Sequence, residues 1–101
     1  QIVSGLAFMH AQSVLHRDLK AGNIFLTSRS LIKIGDFGIS KVLDRTNDFA
    51  RTAIGTPYYL APELINGEPY GFKADVWALG VVLYELLMLR RPFEADSLPQ
   101  L

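Results

Sequence analysis

Ile2, Leu6 and Met9 fall four and then three positions apart, while Gln1, Ser4 and Gln12 take the other side of the same helical wheel. That spacing predicts an amphipathic helix over residues 1 to 11. Beyond Val14 and Leu15 the chain turns polar, and two short apolar runs, Ile24-Phe25-Leu26 and Leu31-Ile32-Lys33-Ile34, then flank Thr27-Ser28-Arg29-Ser30. This pattern predicts an antiparallel hairpin. In such a hairpin the start of the first strand and the end of the second lie together, which makes neighbours of Asn23 and Asp36. From Ile39 to Leu60 neither the strand period nor the helix period is sustained, so the stretch is read as a loop, long enough to be functional or disordered. Pro62 suits a helix start, and Asn66-Gly67 with Pro69 and Gly71 stops that helix within about two turns. Val76 to Leu89 carries Glu85 as its one charge, shows apolar groups on every side and closes on Arg90-Arg91-Pro92. That is the pattern of a buried helix, and it falls short of the roughly 18 apolar residues that a membrane span requires.

Composition narrows the possible partners. The chain has 101 residues, 50% of them apolar, which fits one small domain or part of one and is too hydrophobic for a disordered chain. Ten basic and ten acidic residues give a net charge of zero, and neither sign runs for as many as about five positions. Such a surface offers no field to attract nucleic acid or an anionic membrane, and neither is expected as a partner. The absence of cysteine excludes disulfides and thiolate metal sites. It suits a reducing compartment, and a cytoplasmic or nuclear location is expected. No charged leader with an apolar core begins the sequence.

Three polar clusters remain to be explained: His16-Arg17-Asp18-Leu19-Lys20 with Asn23 close behind, Asp36-Phe37-Gly38 after the hairpin, and Ala61-Pro62-Glu63 after the loop. Taken singly, an aspartate or asparagine before a strand is usually a turn former. As an ordered set they resemble the catalytic half of the eukaryotic protein kinase family, across essentially the whole chain. Ile34-Gly35-Asp36-Phe37-Gly38, Asn23-Ile24-Phe25-Leu26, the run from Ile54 to Glu63 and Phe93-Glu94-Ala95 are further similar to the NIMA-related serine/threonine kinases. Ala61 departs from a common serine, and Val81 from a common cysteine after the glycine.

The resemblance implies an α+β, protein-kinase-like fold in part: a mainly helical C-lobe with a short β-hairpin at the catalytic loop. Within a partial domain over 1–101, it places the catalytic loop at 16–23, a metal-binding motif at 36–38, the activation segment at 36–63 and the buried helix at 75–89. The Gly-rich loop, the β3 lysine and the glutamate-bearing helix that the family sets before these motifs are not in the sequence, so the chain reads as a piece of a larger domain.

The implied chemistry is phosphoryl transfer from ATP, with Mg2+, to a serine or threonine hydroxyl of a protein substrate. Asp18 would accept the hydroxyl proton and align the nucleophile, the alignment being the larger part because a carboxylate is a weak base for an alcohol. Lys20 would contact the transferred phosphate, Asn23 and Asp36 would hold magnesium through hard oxygen donors, and Phe25 would floor the adenine. Ile24 and Leu26 would pack beside it, with Val82 and Leu86 anchoring the same apolar spine. His16 and Phe37 would support the loop from the core. Asp75, ordinarily an N-cap residue, would brace the His16-Arg17-Asp18 backbone. Thr52 would be an activating phosphorylation site, filled by an upstream kinase or by self-phosphorylation, with Arg17 and Lys41 receiving its phosphate. Thr56 would hydrogen-bond Asp18 and Lys20. The isolated piece is expected to be inactive. The competing reading is a non-catalytic interaction module or a pseudokinase-like protein, motivated by the apolar helix left without its covering helices.

Overall fold

The computed structural model describes residues 1–36 and 58–94. In chain order it contains helix α1 (Ile2–Ala11), a 3-10 turn (Ala21–Asn23), strands β1 (Ile24–Leu26) and β2 (Ile32–Ile34), a one-turn helix α2 (Pro62–Ile65) and helix α3 (Phe72–Met88).

Helix α1 buries Ile2, Leu6 and Met9, the three residues picked out by their spacing. Its outer side is less polar than expected, since Val3 and Phe8 are exposed there. The helix stops in a Schellman arrangement: Ser13 N donates to His10 O at 2.9 Å and Val14 N to Met9 O at 2.9 Å. Ser13 takes the left-handed conformation this needs, at φ 58°, although it lacks the freedom of the glycine usually found there.

The hairpin pairs Ile24 with Ile34, Phe25 with Lys33 and Leu26 with Ile32. It lies on α1 through β2, and the approach is close at Gly5. A β-carbon added there would sit 3.0 Å from Ile34 Cδ1, so a residue that weakens a helix locally allows the strand to pack tightly. Gln1 also clasps the hairpin. Its Nε2 donates to Ser30 O at 3.2 Å and its Oε1 accepts from Ile32 N at 2.8 Å.

Leu6, Leu19 and Ala78 form the core cluster, with Ile24, Ile34, Tyr59 and Leu79 packed against it. Helix α1, the segment around Leu19, the hairpin and α3 therefore share one apolar centre. Pro62 opens α2 as its sequence implies, and the helix is a single turn, closed by Gly67 N donating to Leu64 O at 3.1 Å.

Helix α3 starts at Phe72, before the apolar run, because Gly71 in extended backbone supplies the N-cap position. Asp75 consequently lies inside the first turn, and the ordinary N-cap reading of this residue is overturned. The helix buries Ala74, Asp75, Ala78, Val81 and Val82. Leu86 is 54% exposed and Leu87 81%, so within the described chain α3 buries one stripe and not its whole circumference. Val82 reaches the core and Leu86 does not. None of the described helices is long and apolar enough to cross a membrane.

Candidate active site

The site is built on a loop whose backbone is held from below by one carboxylate. Asp75 is fully buried. Its Oδ2 accepts from His16 N at 2.8 Å, and its Oδ1 accepts from Arg17 N at 3.0 Å. His10 Nε2 lies 2.8 Å from Oδ2, and the Tyr70 hydroxyl donates to Oδ1 at 2.5 Å. Burial pushes the Asp75 carboxyl up, but the hydrogen bonds from Tyr70, His10 and the His16 and Arg17 amides outweigh it and hold the group below its ordinary value. Burial and the same carboxylate push the Tyr70 phenol upward, so it stays a donor. Arg17 needs this support because its backbone has φ 69°, a region costly to residues with a β-carbon.

The next residue upward is His16, also fully buried. Its Nδ1 accepts from Asp18 N at 3.2 Å and its Nε2 lies 3.0 Å from Gly35 O. A backbone N–H on one nitrogen and a carbonyl on the other fix the tautomer, with the proton on Nε2. One imidazole thus links the amide of Asp18 to the carbonyl just before Asp36.

Asp18, Lys20 and Asn23 come together directly. Lys20 Nζ donates to Asp18 Oδ2 at 3.0 Å, and Asn23 Nδ2 donates to the same oxygen at 3.2 Å and to Asp18 O at 2.8 Å. Both Asp18 atoms facing Asn23 are acceptors, so the amide orientation follows: NH2 toward Asp18, Oδ1 away from it. Asn23 is buried while Asp18 and Lys20 are about 40% exposed, at 40% and 42% of their side chains. The carboxylate therefore rests on a buried amide and opens to solvent. As an exposed ion pair the Lys20 contact adds little stability; its value is in aiming Asp18.

Asp36 enters from the hairpin. Gly35 N donates to Asn23 O at 2.9 Å, which brings the end of β2 against the start of β1. Asp36 follows, exposed, with φ 53°. Asn23 Oδ1 and the Asp36 carboxylate are hard, oxygen-only donors of the kind magnesium takes when phosphate and water supply the rest of its shell. Among the described residues no group of three or more histidine, aspartate or glutamate side chains is placed to hold an ion alone. The donor set fits a cation shared with a phosphate better than a closed protein cage.

Phe25 is 49% exposed on β1, its ring against Gly35. Phe37, Gly38, Lys41, Thr52 and Thr56 lie outside the described residues, as does the activation segment apart from Asp36 and residues 58–63.

Residues 58–93 add contacts with no signal in local spacing. The Tyr59 hydroxyl donates to Glu85 Oε2 at 2.6 Å, and Arg91 Nε lies 3.9 Å from Glu85 Oε1. Burial, then the Glu85 hydrogen bond, raise the Tyr59 pKa. The Arg91 guanidinium sits 4.0 Å from the Tyr58 ring centroid, and Trp77 stacks on Phe93 at 5.8 Å. The Tyr59–Glu85 hydrogen bond fastens Tyr59 to α3, while Arg91, beyond the end of that helix, covers Tyr58, and Trp77 of α3 meets Phe93. His10 carries no local signal of its role either, because its partner Asp75 lies 65 positions away in sequence.

The protein kinase domain description matches residues 1–100. Human serine/threonine-protein kinase Nek5 is 53% identical over 102 residues, covering 100% of this chain and 14% of that protein. Mouse serine/threonine-protein kinase Nek1 is 52% identical over 101 residues, with coverage of 100% and 8%. Mouse serine/threonine-protein kinase PLK2 is 47% identical over 100 residues, with coverage of 99% and 15%. The chain thus spans well under a fifth of the length of these relatives. With the carboxylate, lysine and asparagine of the loop gathered at one point and the second aspartate brought in by the hairpin, the chain belongs to the protein kinase family and resembles its NIMA-related serine/threonine members.

Proposed function

We propose that the protein carrying this chain is an ATP- and magnesium-dependent protein serine/threonine kinase, and that this chain supplies its catalytic loop and metal-binding residues. The observation that carries the reading is the double anchoring of Asp18: Lys20 and Asn23 both donate to Oδ2, which leaves Oδ1 for an incoming alcohol. Held in this way, Asp18 orients the substrate hydroxyl and takes its proton as the new P–O bond forms and the bond from the γ-phosphorus to the bridging oxygen breaks, releasing ADP. Lys20 reaches the transferred phosphate from its place beside that carboxylate. Asn23 and Asp36 would hold magnesium, which when bound would neutralise charge on the phosphates. Phe25 lies under the purine. Thr52 as a phosphate acceptor, Arg17 and Lys41 as its cationic partners and Thr56 as a contact to Asp18 and Lys20 complete the proposal; upstream or self-phosphorylation would act through them.

The isolated chain lacks the phosphate-covering loop and the β3 lysine, and its own turnover is proposed to be negligible. The test uses the whole protein with radiolabelled ATP and a generic protein substrate. Replacing Asp18→Asn should lower kcat by about 100-fold or more while nucleotide binding stays within about threefold. Full turnover by that variant would refute the assignment.

A further inference from the structure

Strand β2 pairs with β1 along one edge, and its backbone groups alternate between that edge and the other. Thr27 N donates to Leu31 O at 2.9 Å and Gly35 N to Asn23 O at 2.9 Å, so positions 31 and 35 turn toward β1 and Ile32 turns its own N–H away. An outward edge group of this kind usually meets solvent or another strand. Here the Gln1 side chain takes that place: Nε2 donates to Ser30 O at 3.2 Å while Oε1 accepts from Ile32 N at 2.8 Å. A carboxamide carries the donor and acceptor of a peptide group, so one side chain of α1 stands in for a short third strand. A second contact lies one helical turn further on, where the β-carbon that Gly5 lacks would be 3.0 Å from Ile34 Cδ1. From Gln1 to Gly5 the helix rises about 6 Å, and from Ile32 to Ile34 the strand advances about 6.5 Å. The spans match, so β2 runs beside α1 in the same direction and is registered to it at two points. A slip of one residue would move the strand by about 3.3 Å and take Ile32 N out of reach of the Gln1 amide. Just beyond the second contact come Gly35, whose carbonyl meets the His16 ring at 3.0 Å, and then Asp36.

We propose that Gln1 is a positioning residue for Asp36: its carboxamide fixes how far β2 is drawn along α1, and with it the height at which Asp36 is presented beside Asn23. The inference rests on the reading of Asn23 and Asp36 as magnesium ligands. Gln1 touches neither of them and acts through the β2 backbone. Without the carboxamide the strand keeps its pairing with β1 and its packing at Gly5 but loses the polar tie that sets its height, and the two oxygen donors meet a shared cation less well.

The experiment uses the whole protein with two substitutions: Gln1→Ala, which removes both bonds, and Gln1→Glu, which keeps the size and the acceptor but, ionised, cannot donate to Ser30 O. Each should raise the Mg2+ concentration for half-maximal activity at saturating ATP by about three- to tenfold, with kcat at saturating Mg2+ and the Kd of metal-free nucleotide each within about twofold. Hydrogen exchange at the Gly35 amide, three residues beyond the lost contact, should speed up by about threefold or more in both variants. A lowered Tm with an unmoved magnesium dependence would mark a merely structural contact and overturn the proposal. Unchanged exchange at Gly35 does the same, as does insolubility of the size-preserving Gln1→Glu protein, which would assign the contact to folding alone. If the unaltered protein binds nucleotide with no dependence on magnesium, the metal reading fails, while exchange at Gly35 still decides whether Gln1 sets the strand.

Discussion

Replacing Asp75→Asn tests the brace under the loop that carries Asp18 in a way that shape alone cannot confound. The carboxylate serves one backbone amide with each oxygen, His16 through Oδ2 and Arg17 through Oδ1. An asparagine has one oxygen, and its NH2 must face the other amide. His10 and Tyr70 can exchange donor and acceptor roles to suit, but a backbone N–H cannot. Whichever way the amide is turned, one buried N–H loses its acceptor, at about 1–3 kcal/mol, and the surviving bonds lose their charge assistance, at about 1 kcal/mol more. The sum is about 2–4 kcal/mol, or about 5–15 °C in Tm for a domain of kinase size. If Arg17 is the orphaned amide, its positive-φ backbone has reason to relax, and Asp18 moves with it. Misplacing the aligning carboxylate should then cost about 10- to 100-fold in kcat with a smaller change in KM. Differential scanning fluorimetry and steady-state kinetics on the whole protein check both halves. A variant with Tm within about 1 °C and kcat within about twofold of the unaltered protein would refute the reasoning. The pH dependence supplies an independent arm. The folded-state pKa of Asp75 lies below its ordinary value of 3.8, so the unfolded chain binds the proton more readily. The stabilisation is fully present above that ordinary value and is lost as pH falls through the folded value. The stability gap between the two proteins should therefore narrow below about pH 4.

Two further substitutions report on the frame around the site. Ser13→Gly removes a β-carbon from a left-handed helix stop at φ 58° and should stabilise by about 0.5–1 kcal/mol, read as a shift in denaturant midpoint at constant m value; a loss of stability would contradict the cap assignment. Tyr59→Phe deletes the hydroxyl that donates to Glu85 at 2.6 Å and should cost about 1–2 kcal/mol, whereas Glu85→Gln, which keeps a neutral acceptor, should cost less; the reverse order would show that the hydrogen bond is not what fastens this segment.

The parts of the fold legible in the sequence are those governed by short periods. Ile2, Leu6 and Met9 announce α1, and the β-rich runs around residues 27–30 announce a hairpin whose antiparallel sense puts Asn23 and Asp36 at one end. Asp18, Lys20 and Asn23 could be chosen because their spacing matched a family pattern, and the structure brings these three together. What local pattern cannot carry is a side chain whose partner is remote. By local spacing Asp75 is a helix cap, and only the family pattern assigned it to the His16-Arg17-Asp18 backbone, where its oxygens do accept from amides 58 and 59 positions away, while Gly71 takes the cap position. His10 read as one more residue of an amphipathic helix. The apolar run of α3 is hydrophobic on every side and so has no direction of its own in sequence; burial of Ala78, Val81 and Val82 marks the inner face, and Leu86 falls outside it.

Because the His16 imidazole grips the peptide nitrogen of Asp18 with one edge and the peptide oxygen of Gly35 with the other, Asp18 and the segment leading into Asp36 share one buried linkage. Under the proposed function, a small molecule that drags the Asp36 end out of place would disturb the setting of Asp18 from a distance, without ever meeting its carboxylate.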